Sequence, residues 1–279
     1  MALLKVLLLL GVSVNSDISL QKRIIGGYNC HHTERLYHVR LENSNGNNKY
    51  RCRGSLIHPE WILTAAHCWK SEDGWTNRAT LKVHPRTAGQ QNRVIQQDPV
   101  IYDQHHDIML LKLQTPVTDV PLAQLPDCRR RLQVGDVVQL AGEGATTAGP
   151  NNDRLIGAAI PSHLQCVDMR VVGASVSLWS TGYIFLASAP NRDIQYRPKG
   201  DTGGAAVHND MIYGVISFSG GYACQIPVVI LDMCEYLWWI KRTIKHVQDY
   251  FNTAVVPSQG FPSLKSLSLN PESSLKSET

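Results

Sequence analysis

Short apolar runs separated by turn residues recur along most of this chain, and no helical period appears before Tyr236. Val39-Arg40-Leu41-Glu42 alternates apolar and polar, and an Asn/Gly-rich turn follows between Asn43 and Asn48. Gly54-Ser55-Leu56-Ile57, Trp61-Ile62-Leu63, Leu81-Lys82-Val83-His84 and the run from Ile108 to Leu113 continue the series. A period of two with frequent turn signals describes half-buried strands, and many such strands predict an antiparallel barrel or sandwich. The stretch from Pro116 to Asp127, with Pro121 and Pro126, reads as a linker. Strand patterns resume at Val137-Val138-Gln139-Leu140, Val171-Val172, Tyr183 to Leu186 and Ile212 to Phe218, which predicts a second β lobe. Lobes are expected over about 24–120 and 128–233. Only from Tyr236 to Phe251 does the pattern turn helical, with Leu237, Ile240, Ile244 and Val247 on one face, so a helix is expected over about 235–252.

The length of 279 residues suits one large all-β domain or two small lobes with a sizeable core. The formal net charge of +4 is mild, and no nucleic-acid partner is expected. Lys241, Arg242, Lys245 and His246 form a basic stripe on the last helix, read as a solvated face. The first residues carry Lys5, a short apolar run and then Asn15-Ser16, which reads as a secretory signal peptide over 1–16. That run is too short to span a bilayer, so the expected protein is secreted and extracellular, with no membrane partner. Residues 17–23 read as a polar connector ending in Lys22-Arg23, and 254–279, rich in Ser and Pro, as a disordered tail. The seven cysteines are odd in number, so at least one is unpaired or bridges to another molecule. His31, His32, His38, His105 and His106 have no zinc-like spacing; no metal and no cofactor are expected.

Three stretches carry chemistry: Leu63-Thr64-Ala65-Ala66-His67-Cys68, Asp107-Ile108-Met109-Leu110-Leu111 and Gly200-Asp201-Thr202-Gly203-Gly204. Together, in this order, they resemble the histidine, aspartate and nucleophile loops of the trypsin-like serine protease family. The resemblance covers about Ile24 to Val247. It implies a trypsin-like all-β fold of two antiparallel six-stranded barrels followed by a C-terminal α-helix, with a protease domain over 24–247. It implies that His67 acts as general base, since imidazole is suited to taking and returning a proton near neutral pH. Asp107 would hold and orient His67, and Ser217 matches a serine that hydrogen-bonds this aspartate. Gly200 and the N–H of Thr202 would form the oxyanion hole, whose donors are worth roughly 3–4 kcal/mol each. Arg23-Ile24-Ile25-Gly26-Gly27 resembles an activation site. An activating protease would cut after Arg23, and the new ammonium on Ile24 would pair with Asp201, because a buried carboxylate is costly without a partner.

The departures matter as much. Thr202 stands where the family has serine, which adds a methyl group on a Cβ of restricted χ1. Misplacement of a reacting group by about 1 Å can cost roughly 100-fold in rate. Known threonine nucleophiles use their own terminal amine as base, and Thr202 is internal. The specificity pocket differs too. Tyr196 falls at the floor, Arg197 follows it, and Ser219 and Val228 replace wall glycines, with Ser217 beside them. These side chains should narrow the cavity, and Arg197 would repel a basic residue.

The resemblance further implies disulfides Cys52–Cys68 and Cys128–Cys234. It leaves Cys30, Cys166 and Cys224 as unpaired candidates, their usual partners falling at Gly157, Leu186 and Pro198. The preferred reading is a secreted protease homologue, inactive or strongly attenuated, that binds a protein or peptide ligand. An active endopeptidase using Thr202, and a disulfide-linked oligomeric scaffold, remain open.

Overall fold

The structure is a computed structural model, and it describes residues 27–143, 162–176, 182–190, 200–218 and 227–254. The elements in chain order are β1 (Tyr28–Asn29), β2 (His38–Ser44), β3 (Lys49–His58), β4 (Trp61–Thr64), β5 (Thr76–Leu81), β6 (Gln91–Val94), β7 (Val100–Ile101), β8 (Met109–Lys112), β9 (Val137–Gly142), β10 (Gln165–Val176), β11 (Tyr183–Ser188), β12 (Ala205–His208), β13 (Met211–Phe218), β14 (Val228–Asp232) and α1 (Met233–Ala254). Two antiparallel seven-stranded sheets result. The first runs β6-β5-β2-β3-β4-β8-β7. The second runs β1-β10-β11-β14-β13-β12-β9, and a further β9–β10 pairing closes six of its strands into a barrel, with β1 added outside on β10. This is the expected all-β fold with its C-terminal helix. Among the described residues no pairing closes the first sheet; its outer strand β6 alternates half-buried Gln91 and Arg93 with exposed Asn92 and Val94. Polar residues on such an edge discourage pairing with another chain.

The interior follows from the patterns. Trp61, Ile62, Leu63, Leu110 and Leu111 pack with Leu41 and Leu56 in the first sheet, and Val138, Leu140, Val167, Phe185, Ile216 and Ile230 fill the barrel. β4 is buried at every position because both its faces are covered, which is why it reads as a continuous apolar run. The 116–127 linker is strapped to both lobes: the Ala123 N–H donates to Leu56 O, and the Ile212 N–H donates to Gln124 O, each at 2.8 Å. The helix buries Met233, Tyr236 and Ile240, with Leu237 and Ile244 half-buried. Its buried stripe therefore starts one turn earlier than the expected face, since Met233 and Tyr236 lie over the core; the Val247 side chain lies outside the described residues. Among the described residues no helix is long and apolar enough to cross a membrane. The signal-peptide, connector and tail segments lie outside them, apart from Ala254.

Three disulfides join Cys30 to Cys166, Cys52 to Cys68 and Cys128 to Cys234. The last two are those the resemblance implied. The first corrects an expectation: Cys30 and Cys166 are not free thiols but each other's partner. Strand β1 pairs with β10 in the register Tyr28↔Cys166 and Asn29↔Gln165, and the Cys30 N–H donates to Leu164 O at 2.8 Å. That brings together two cysteines 136 residues apart. The partner assigned to Cys166, Leu186, sits in β11 opposite Val229 and Gly173. Cys224, with Gly157 and Pro198, lies outside the described residues. Six of seven cysteines are thus bonded, so any intermolecular bridge has to use Cys224. On a non-reducing gel, a dimer that persists in Cys224→Ser would contradict this pairing; loss of every disulfide-linked species in that variant is the expected result.

Candidate active site

Strand pairing delivers His67 and Asp107 to the same place. Thr64 in β4 lies opposite Met109 in β8, so the segment leaving β4 meets the segment entering β8. After β4 the chain makes a 3₁₀ turn at Ala66–Cys68, and the Cys52–Cys68 disulfide ties that turn back to β3. Asp107 receives three donors. The His67 backbone N–H donates to Oδ1 at 2.9 Å, and the His67 ring approaches through Nδ1 at 2.8 Å from Oδ2. Ser217 on β13 donates its hydroxyl to Oδ2 at 2.5 Å. With Nδ1 facing the carboxylate, the proton-accepting position is left on Nε2, which is the tautomer a general base needs. The His67 side chain is 38% exposed and Asp107 12%, so the imidazole is open to a ligand while its carboxylate is shielded.

The loop at 200–204 lies between β3 and β13. The Arg53 N–H donates to Thr202 O at 2.8 Å, the Gly203 N–H to Ile216 O at 2.7 Å and the Ile216 N–H to Gly204 O at 2.9 Å. Gly203 has φ +83, and a Cβ there would stand 2.2 Å from both Arg53 O and Thr64 Oγ1, so only glycine fits. Among the described residues no hydrogen bond uses the N–H of Gly200 or Thr202, the two groups expected to form an oxyanion hole.

The Thr202 side chain lies against the Cys52–Cys68 disulfide. Its Oγ1 lies 3.4 Å from Cys52 Sγ and 4.0 Å from Cys68 Sγ. Both sulfurs are in the disulfide, so the hydroxyl is the only possible donor in those contacts. The Tyr50 phenol also interacts with Thr202; burial first, then the Asp107 charge, raises that phenol's pKa. His67 Nε2 is 3.9 Å from Cys68 Sγ, and among the described residues no hydrogen bond joins Nε2 to Thr202 Oγ1. His67 is thus held by Asp107, while Thr202 Oγ1 lies against the Cys52–Cys68 disulfide.

A family model described as "Trypsin" matches residues 24–240. The chain belongs to the trypsin family. It is 29% identical to "Serine protease 1" of Canis lupus familiaris over 262 residues, covering 85% of this chain and 96% of that protein. It is also 29% identical to "Trypsin" of Sus scrofa over 254 residues, covering 80% and 96%. Among solved structures the fold is similar to "Structure of GrC", with a TM-score of 0.66 at 24% identity, covering 80% of this chain and all of that one. It is similar too to neuropsin, a serine protease expressed in the limbic system of mouse brain, with a TM-score of 0.62 at 23% identity.

Other site residues fall as follows in this trypsin-family chain. Val228 opens β14 opposite Ala187 and is buried in the barrel core. Tyr196, Arg197 and Ser219 lie outside the described residues, as do Arg23 and Ile24. Asp201 is buried, accepts the Glu143 N–H on Oδ1 at 3.1 Å and has Arg53 Nη2 at 3.7 Å. Cys52, His67 and Cys68 bring potential ligand atoms within 4.8 Å of one another, but the two sulfurs are bonded together and offer no thiolate. Sequence reasoning missed Tyr50, Arg53 and Glu143 altogether. The signal that could have found Arg53 is the charged pair flanking Cys52 in Arg51-Cys52-Arg53, inside a strand that must pack on the nucleophile loop.

Proposed function

We propose that this trypsin-family protein is a secreted homologue that binds a protein or peptide ligand beside His67 and Thr202 and hydrolyses peptide bonds only feebly or not at all. One observation carries the reading: Thr202 Oγ1 faces the Cys52–Cys68 disulfide and makes no hydrogen bond to His67 Nε2. The β-branched side chain has few rotamers to choose from, and turning the hydroxyl to His67 moves the methyl group with it. Three disulfides fit an oxidising compartment, in line with export guided by residues 1–16. Val228, buried where a pocket wall is expected, fits a narrowed pocket, and the sequence positions expected for its floor, Tyr196 and Arg197, carry bulky side chains.

A second reading is an active endopeptidase with Thr202 as nucleophile. The intact Ser217–Asp107–His67 hydrogen-bond chain favours it. Acyl transfer would then pass the Thr202 proton to His67 Nε2 as Oγ1 attacks the carbonyl, and His67 would return it to the leaving amine.

A fluorophosphonate probe on protein cut after Arg23 separates the two. Thr202→Ser should label at least about 10-fold faster than the natural chain, up to the roughly 100-fold that follows misplacement of a reacting group. Fast labelling of the natural chain that is abolished in His67→Ala would support the endopeptidase instead.

A further inference from the structure

We propose that Arg53 is the resident counter-ion of Asp201 and positions the 200–204 loop, so that the loop holds its shape without a cut after Arg23. The trypsin resemblance assigns that task to the ammonium of Ile24; here the chain supplies a cation of its own.

Arg53 lies in the middle of β3, where arginine is hardly ever buried unless it is paired. Its side chain is 3% exposed. Nη2 stands 3.7 Å from Asp201 Oδ1 and 3.5 Å from Glu143 Oε2, and Nη1 donates to Cys52 O at 2.8 Å. Glu143 binds the group together. It accepts Arg40 Nε at 2.7 Å and Arg40 Nη2 at 2.6 Å, has Arg86 Nη2 at 3.0 Å, and passes its own N–H to Asp201 Oδ1. Burial alone would raise the Glu143 carboxyl, but the Arg40 hydrogen bonds and the Arg53 and Arg40 charges bring it to about 2. Among the described residues the cluster sets three guanidinium groups, Arg40, Arg53 and Arg86, against two carboxylates, Glu143 and Asp201.

Two consequences follow from that balance. The charge of Asp201 is compensated inside the fold, whatever else its carboxylate contacts. An arriving ammonium would also be an additional cation beside Arg53, and like charges oppose it. The fit is close: a Cβ on Gly142 would lie 2.1 Å from Asp201 Oδ2, so glycine there lets the carboxylate lie against β9. Arg53 holds the loop a second time through its main chain, by the bond from its N–H to Thr202 O, and Thr64 Oγ1 donates to Arg53 O at 2.6 Å. Side chain and backbone of one residue thus fix both Asp201 and Thr202. Family membership gives Asp201 this task whatever the turnover at Thr202.

Amide hydrogen exchange over 200–210 tests it without reference to activity. The full chain is compared uncut and cut after Arg23. The expected result is equal protection, within about 3-fold, because the counter-ion is already present. A rise above 10-fold on cutting would overturn the proposal, and this comparison needs no variant. In the uncut chain, Arg53→Met should lose protection at 200–204 by at least about 10-fold while β4 and β8 stay protected, and Arg53→Lys should retain most of it. Repeating Arg53→Met in an Asp201→Asn background should give a smaller loss, because the charge to be compensated is gone. An equal loss in both backgrounds would mean that Arg53 acts by packing alone, which also overturns the proposal.

Discussion

Glu143→Ala is expected to destabilise the protein by about 3–5 kcal/mol, the usual result of removing one partner from a buried ion group. The carboxylate is buried and serves three arginines at once, two of which, Arg40 and Arg53, have side chains 7% and 3% exposed. Without it Arg40 keeps no anion within ion-pair distance among the described residues, and Arg53 keeps only Asp201 at 3.7 Å. For a domain of this size the loss corresponds to a drop in Tm of roughly 10 °C, at about 2–4 °C per kcal/mol. Calorimetry at neutral pH measures it. Glu42→Ala, which breaks the half-exposed pair with Arg51, should cost no more than about 1 kcal/mol, because solvent screens that pair. Equal effects from the two substitutions would show that the buried group is not a cooperative unit.

The second large effect is a loss of stability in mild acid that runs through His38. This imidazole is 3% exposed, and burial brings its pKa down to about 3; the Glu143 charge, which would raise it, is outweighed. Arg53, His84 and Arg40 add to the lowering. The sign follows from proton counting. Above about pH 6.5 neither the folded nor the unfolded state protonates His38, and its effect is nil. Below that the unfolded chain takes up a proton that the folded chain refuses until about pH 3, so stability falls steadily across the window. The slope is about 1.4 kcal/mol per pH unit, or roughly 3 kcal/mol by pH 4.5. His84, also lowered by burial, adds in the same direction, and Glu143, held at about 2, joins below pH 4.5. Thermal melts from pH 7.5 to 4.5 should show the decline, and His38→Met should flatten it by about one proton's worth, roughly 1.4 kcal/mol per unit. An unchanged slope in that variant would mean that other groups carry the acid response.

Both effects arise in a cluster whose members look ordinary in sequence. In Val39-Arg40-Leu41-Glu42 the alternation puts Arg40 on the polar face, yet it is 5% exposed, because Glu143 from the other lobe closes over that face. A period of two tells which face a side chain is on; it does not tell whether that face meets water or a second lobe. His38 and Arg53 were illegible for the same reason. Cys30 and Cys166 show a related limit. Their pairing depends on the register of a two-residue strand against β10, and nothing within either segment encodes a partner 136 residues away.

The candidate site residues are far more legible. His67 and Asp107 stand in local motifs and Ser217 matches a family serine, and the structure brings the three into one hydrogen-bonded chain. That works because each sits at a strand end or in a strand whose pairing is set by strong apolar runs, such as Trp61-Ile62-Leu63 against Leu110-Leu111. Thr202 was also plain in sequence as a departure. Where its hydroxyl points was not, since that depends on the disulfide, Tyr50 and His67 packed around it.

By itself, then, the sequence determined the two-lobed β architecture, the final helix, the trypsin-family motifs and the odd threonine, because these are written in local period and local residue type. Only the tertiary structure decided the Cys30–Cys166 bond, the direction of the Thr202 hydroxyl and the company of Asp201. Those contacts join segments distant in sequence, Cys30 with Cys166, Cys52 with Thr202 and Arg53 with Asp201, and their energies depend on burial that exists only in the folded protein.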